Sequence, residues 1–215
     1  MRKYLAELIG TFAMVFCGTG AIIINQESGG AITHVGIAIT FGLIVATMIY
    51  TIGDISGAHL NPAVTIAFWV AKEFPFKEIA PYILSQAVGA FLASFILRML
   101  FPANTVLGAT LPTGSEMQSF VLEVILTFIL MFVILRVAKG SKEQGLFAGL
   151  VIGSVVLLEA MFAGPICGAS MNPIRSLAPA LVSGHLEHVW IYLVAPVLGA
   201  ILAVFAWVGL KEKTK

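Results

Sequence analysis

The chain has 215 residues, of which 59% are hydrophobic and 11% charged, with a net charge of +1. Soluble domains carry about 25% charged residues, so too little charge is present to cover a soluble globule, and a mean hydropathy of +1.01 excludes disorder. With 12 basic and 11 acidic residues nothing points to nucleic acid, and what remains is an all-α integral membrane protein with room for roughly six or seven spans of about 20 residues each.

Met1-Arg2-Lys3 leads into an apolar run over 4–25. That run is long enough to cross a bilayer, and it reads as a retained first helix, not a cleaved leader. Further spans are expected over 33–52, 78–100, 117–137, 145–163 and 188–210. Two other apolar stretches, 61–71 and 172–183, are too short to cross, and each opens on Asn-Pro. Proline suits the first position of a helix because its missing N–H would have no partner there. Both stretches therefore read as half-helices that begin abruptly. A Gly-Ala turn precedes each: Gly57-Ala58 and Gly168-Ala169.

Charge sets the orientation. Arg2, Lys3, Lys72, Lys77, Arg136, Lys139, Lys142, Lys211, Lys213 and Lys215 all fall on one side of this arrangement. Only Arg98 and Arg175 belong toward the other. The positive-inside rule then predicts a multi-pass protein of the plasma (inner) membrane with both termini cytoplasmic.

The chain also repeats itself. Gly57-Ala58-His59-Leu60-Asn61-Pro62-Ala63-Val64 aligns with Gly168-Ala169-Ser170-Met171-Asn172-Pro173-Ile174-Arg175. Glu7, Thr11, Phe12 and Phe16 align with Glu123, Thr127, Phe128 and Phe132. This divides a single channel domain, 1–215, into repeat one (1–110) and repeat two (115–215). Three spans per repeat is odd, so the second copy is inverted. Inverted repeats with broken helices at matching positions point to a substrate path near the midplane.

Two half-helices meeting there from opposite sides each present a positive N-terminal end. Asn61 and Asn172 cap those ends, with amide N–H groups available to a passing oxygen. Irregular backbone at this depth is tolerated where it lines a cavity, so the turns offer carbonyl acceptors to the same path. Neutral hydroxyl compounds would be re-solvated stepwise, while cations and protons are repelled.

The paired Asn-Pro motifs resemble those of the aquaporin, or major intrinsic protein, family, and the resemblance covers essentially the whole chain. It implies six transmembrane helices and two half-helices in a right-handed bundle. It also implies a homotetramer with one pore per subunit, no cofactor and no metal. The family's outer selectivity filter maps to Phe41, Ala160, Ala169 and Arg175. Strict water channels have a histidine at the place of Ala160, so this filter should be wider and less polar. The second motif departs from the family pattern, with Ile174 where alanine is usual; Pro62, Ala63, Pro173 and Ile174 are expected to pack the motifs together. Ile174 is expected to face the apposed half-helix, since Asn172 and Arg175 share the pore side.

The stretch Phe162-Ala163-Gly164-Pro165, followed by Gly168 to Pro173, looks like the bacterial nodulin-like intrinsic proteins, which are aquaglyceroporin-like. That subfamily is associated with glycerol and with uncharged metalloid hydroxides such as arsenous and boric acid. Glycerol facilitators carry an aspartate and a basic residue where this chain has Ser176 and Ala180. The expected function is a passive channel for water and small uncharged polyols or metalloid hydroxides, closed to protons and ions. The alternatives are a water-selective aquaporin and, further off, a proton-coupled transporter carried by Glu7, Glu123 and Glu159.

Ionisable groups at membrane depth are functional flags, but the symmetric placement of Glu7 and Glu123 favours a structural role, bonding the N–H groups of the half-helix turns. Glu159 has no symmetry mate; it is expected to point away from the pore and brace the loop 163–171. His59 is a candidate for lining the pore, or for satisfying nearby carbonyls. Cys17 and Cys167 suggest neither a disulfide framework nor a metal site. His34, His59, His185 and His188 are scattered without metal-ligand spacing, so an intramembrane enzyme is disfavoured.

Overall fold

The structure, a computed structural model, describes residues 1–138 and 140–210, with the backbone alone at 142 and 144. The helices are α1 (Arg2–Glu27), α2 (Thr33–Ser56), α3 (Pro62–Val70), α4 (Ile79–Leu100), α5 (Glu116–Ala138), α6 (Lys142–Leu146), α7 (Ala148–Cys167), α8 (Pro173–Ser183) and α9 (Val189–Gly209). A 3₁₀ turn at Phe76–Glu78 leads into α4. No strand occurs among the described residues. Six helices, α1, α2, α4, α5, α7 and α9, are long and apolar enough to cross a membrane. We call the face at which Met1 lies proximal and the opposite face distal.

Most boundaries fall within a few residues of expectation, but α7 differs. It begins at Ala148, with the short α6 before it, and runs on to Cys167 with Pro165 inside. Proline removes one helical N–H and orphans the carbonyl four residues earlier. Here that carbonyl belongs to Met161, and the His34 ring takes it at 2.8 Å. The helix survives its proline because another helix supplies the missing donor. Both α2 and α7 end on a left-handed glycine, Gly57 (φ 86°) and Gly168 (φ 80°), a conformation that glycine enters without steric cost.

The halves pack by one rule. The first span pairs with the last (α1 with α4, α5 with α9), and α2 crosses α7 at the centre. Each half-helix docks on the last span of the other half, α3 on α9 and α8 on α4. The close crossings need glycine. A side-chain carbon at Gly89 or Gly199 would collide with the carbonyl of Leu8 or Val124. Gly42 and Gly153 face one another where α2 meets α7, and a carbon on either would lie 2.7 or 2.5 Å from the other's carbonyl oxygen.

Large apolar side chains such as Leu84, Phe95, Leu158, Phe162 and Phe205 are exposed around the outside, as expected of helices bathed in lipid. Arg2, Lys3, Lys72, Lys77 and Arg136 belong to segments at the proximal face. Lys139, Lys211, Lys213 and Lys215 lie outside the described residues, and the Lys142 side chain is not described.

Candidate functional site: a central pore

The turns before the half-helices are built alike. Ala58 (φ 46°) and Leu60 (φ 52°) in the first, and Ala169 (φ 40°) and Met171 (φ 53°) in the second, are left-handed without being glycine. Each such residue costs about 1–2 kcal/mol. A buried carboxylate offsets that cost in each half. Glu7 accepts the N–H groups of His59 (2.9 Å) and Leu60 (2.8 Å), the Ser56 hydroxyl and the Gln86 amide (both 2.8 Å). Glu123 accepts the N–H groups of Ser170 (2.7 Å) and Met171 (2.8 Å). A hydrogen bond to a charged partner is worth about 1.5–3 kcal/mol, so two such bonds outweigh two strained residues. Tyrosines complete the pattern: Tyr82 donates to the Ser56 carbonyl and Tyr192 to the Cys167 carbonyl, at 2.9 and 2.8 Å.

Asn61 and Asn172 cap α3 and α8. The Asn61 side-chain oxygen accepts from Ala63 N–H, and the Asn172 oxygen from Ile174 and Arg175 N–H. Their amide nitrogens do more than expected. Asn61 Nδ2 donates to the Met171 carbonyl at 2.7 Å, and Asn172 Nδ2 to the Leu60 carbonyl at 2.9 Å. Each asparagine thus ties its own half-helix to the turn of the other half. An amide carries two hydrogens; one serves this link, and the second of Asn61 is available to the cavity that both residues line, while the Asn172 nitrogen also lies 3.9 Å from Met14 Sδ, a weak acceptor on the same wall.

That cavity has a volume of about 610 Å³. It brings together Phe41, Ala160, Ala169, Arg175, Asn61, Asn172 and His59. The Arg175 guanidinium lies 4.9 Å from the Phe41 ring centre and donates to the Gly108 carbonyl at 3.2 Å. Stacking and hydrogen bonding fix this buried cation at the distal end of the cavity. Toward the proximal end the lining includes Tyr50, Asp54 and Glu73. There the His59 ring stacks on Phe68 at 4.8 Å, with Phe74 and Tyr82 around it, and its Nδ1 lies 3.1 Å from Thr65 Oγ1. His59 both lines the cavity and is held in place.

Two expectations need correction. Glu159 does not brace the loop 163–171: its two carboxylate oxygens are buried and have no hydrogen-bond partner among the described residues. Its neighbour Ala160 lines the cavity and Glu159 does not, because adjacent positions on a helix point about 100° apart. Ile174 does not face the apposed half-helix. It is buried in a cluster with Met14 and Val15 of α1 and Ala90 and Ala93 of α4. The reason is topological: α8 docks on the first half's spans, so the side of α8 away from the pore meets α4. Pro62, Ala63 and Pro173 are buried. Cys17 and Cys167 are free thiols. Among the described residues no three His, Cys, Asp or Glu side chains form a group that could hold a metal.

Several contributors escaped the sequence reading: Gln86, the tyrosine pair, the Gly108 carbonyl and His34. Tyr82 and Tyr192 sit at nearly the motif spacing and could have been found by extending the repeat alignment to the last spans. The Gly108 carbonyl belongs to a loop without a motif, and no sequence signal marks it.

Residues 1–207 match the family described as Major intrinsic protein. Among curated relatives, Aquaporin NIP1-1 of Zea mays is 49% identical over 208 residues, covering 96% of this chain and 74% of the relative. Nodulin-26 of Glycine max is 47% identical over 209 residues, covering 97% and 76%. The solved structure of the aquaglyceroporin from Plasmodium falciparum superposes with a TM-score of 0.88 at 26% identity, covering 97% of this chain and 96% of that one. The chain belongs to the major intrinsic protein family, and its activity is that of a passive membrane channel, not of an enzyme.

Proposed function

We propose that the channel conducts water and small uncharged polyols or metalloid hydroxides, such as glycerol, boric acid and arsenous acid, and excludes protons and ions. One observation carries this reading: an arginine fixed over an aromatic ring lines, together with two alanines, a cavity that continues to the paired asparagines. In the distal constriction, Arg175 donates to a solute hydroxyl oxygen while Phe41 lies along its carbon or metalloid side. Ala160 and Ala169 present only methyl groups, which leaves width for a solute larger than water. At the midplane the second amide hydrogen of Asn61 takes over the oxygen, joined by that of Asn172 when a solute oxygen replaces its weak contact with Met14 Sδ. The half-helix N-termini, each equivalent to roughly half a positive charge, and the Arg175 cation repel cations in a passage that offers them no carboxylate at that depth.

The proximal face is read as cytoplasmic in a plasma (inner) membrane, which the basic residues Arg2, Lys3, Lys72, Lys77 and Arg136 support. Assembly as a homotetramer follows from the family resemblance. The test is stopped-flow permeability of proteoliposomes to water, glycerol, boric acid and arsenous acid, side by side. Flux of all four is expected, unchanged when the membrane potential or the proton gradient is collapsed. Water flux alone would reduce the protein to a water channel, and accumulation against a gradient would make it a carrier.

A further inference from the structure

Four features of the outer α2–α7 contact converge on His34. Pro165 cannot donate to the Met161 carbonyl, and His34 Nε2 does so at 2.8 Å. A carbonyl only accepts, so Nε2 carries the hydrogen. Gly164 makes the seat for the ring, since a side-chain carbon there would lie 2.8 Å from His34 Cε1. His34, Ala38 and Phe41 stand four and three residues apart, on one face of α2. On α7, Ala160 immediately precedes the pinned Met161 and lies two turns from Gly153, where the helices touch at Gly42.

Ala160 therefore sits between a pivot and a pin. The matching place at the proximal end is built differently. Asp54, in the position of Pro165, keeps its N–H, and Gly145 stands where His34 would. There Tyr50 joins α2 to α6 and α7 instead, donating to the Leu146 carbonyl at 3.3 Å and accepting from Leu150 N–H at 3.2 Å.

We propose that His34 is a positioning residue for solute selection: its bond to the Met161 carbonyl holds α7 against α2 and so sets the width between Ala160 and Phe41. The inference rests on the reading of Phe41 and Ala160 as walls of the selecting constriction. Without the pin, the end of α7 beyond Gly153 relaxes outward, and Ala160 moves with it.

Water and glycerol permeabilities are measured in proteoliposomes for His34→Phe, His34→Gln, Gly164→Ala and Ala160→His, with thermal unfolding in detergent recorded for each. His34→Phe keeps a ring but loses the donor, and the glycerol-to-water ratio should rise about fivefold, the population ratio one net hydrogen bond commands. His34→Gln offers an N–H again and should bring the ratio back toward wild type. Gly164→Ala, which displaces the ring without altering it, should move the ratio in the same direction as His34→Phe. It decides the matter if His34→Phe does not fold.

An unchanged ratio in folded His34→Phe, or a shift that His34→Gln does not reverse, overturns the proposal. If Ala160→His moves the ratio and His34→Phe does not, only this inference falls. If Ala160→His also leaves the ratio unchanged, the constriction reading falls and takes the inference with it.

Discussion

The two halves of the molecule share a scaffold and differ where the cavity wall is made. Glu7 and Glu123 hold equivalent turns, Tyr82 and Tyr192 hold equivalent carbonyls, and Asn61 and Asn172 exchange equivalent bonds. The walls obey no such symmetry. Arg175 at the distal end corresponds to Val64 at the proximal end, Ser170 to His59, Phe41 to Ile152 and Ala160 to Ile49, and all of them line the cavity. Positions that repeat build the backbone path, and positions that break the repeat give its two ends different walls. Even the scaffold is uneven: Ser56 and Gln86 both donate to Glu7, while their counterparts around Glu123 are Cys167 and Pro196.

Removing the shared element should have the largest effect. Glu7→Gln turns an acceptor-only side chain into one that points a donor at other donors, at a cost of about 3 kcal/mol. Glu123→Gln should cost less, because fewer side-chain donors converge there. Unfolding midpoints in detergent decide the order, and an equal loss in both variants would remove the asymmetry.

Ile174→Ala should cost about 2 kcal/mol, the low end for a buried isoleucine, and leave permeability per folded protein unchanged. The residue packs on α1 and α4 and not on the pore. A several-fold change in water or glycerol flux at unaltered thermal stability would place it on the path instead.

The smallest effect is a gain. Cys167→Ser gives the second half the hydroxyl that Ser56 gives the first. A hydroxyl bond to Glu123 in place of the weaker thiol one should raise stability by about 0.5 kcal/mol, the low end for one hydrogen bond, seen as a higher unfolding midpoint with flux unaltered. A lower midpoint would mean that the two turns are not equivalent around their carboxylates.

The fold was legible because its signals are periodic and repeated: apolar runs of spanning length, two Asn-Pro starts and matched glutamates. The four residues proposed as the filter were placed through the family resemblance, and all four line one cavity with both asparagines. What stayed hidden depends on contacts between distant segments. An asparagine before proline announces a cap, but not that its nitrogen reaches the opposite turn. The span expected over 145–163 stops short of Pro165, and the position of His34 explains how the helix continues past it to Cys167. The orientation of Ile174 needed the docking of α8 on α4. Glu159 has no hydrogen-bond partner among the described residues, as it lacked a mate in the sequence, so its adjacency to cavity-lining Ala160 was no guide to its contacts.

The central claim is that solutes are chosen at the distal constriction and not at its proximal counterpart. The direct measurement is the glycerol-to-water permeability ratio of Ala160→His beside that of Ile49→His, its mirror position, in proteoliposomes of equal protein content. Ala160→His should lower the ratio about tenfold, the scale on which a few added atoms in a fitted pocket discriminate, while Ile49→His changes it by less than about twofold, an uneven result that equivalent constrictions would not give. Equal shifts in the two variants, or a shift in Ile49→His alone, would contradict the account.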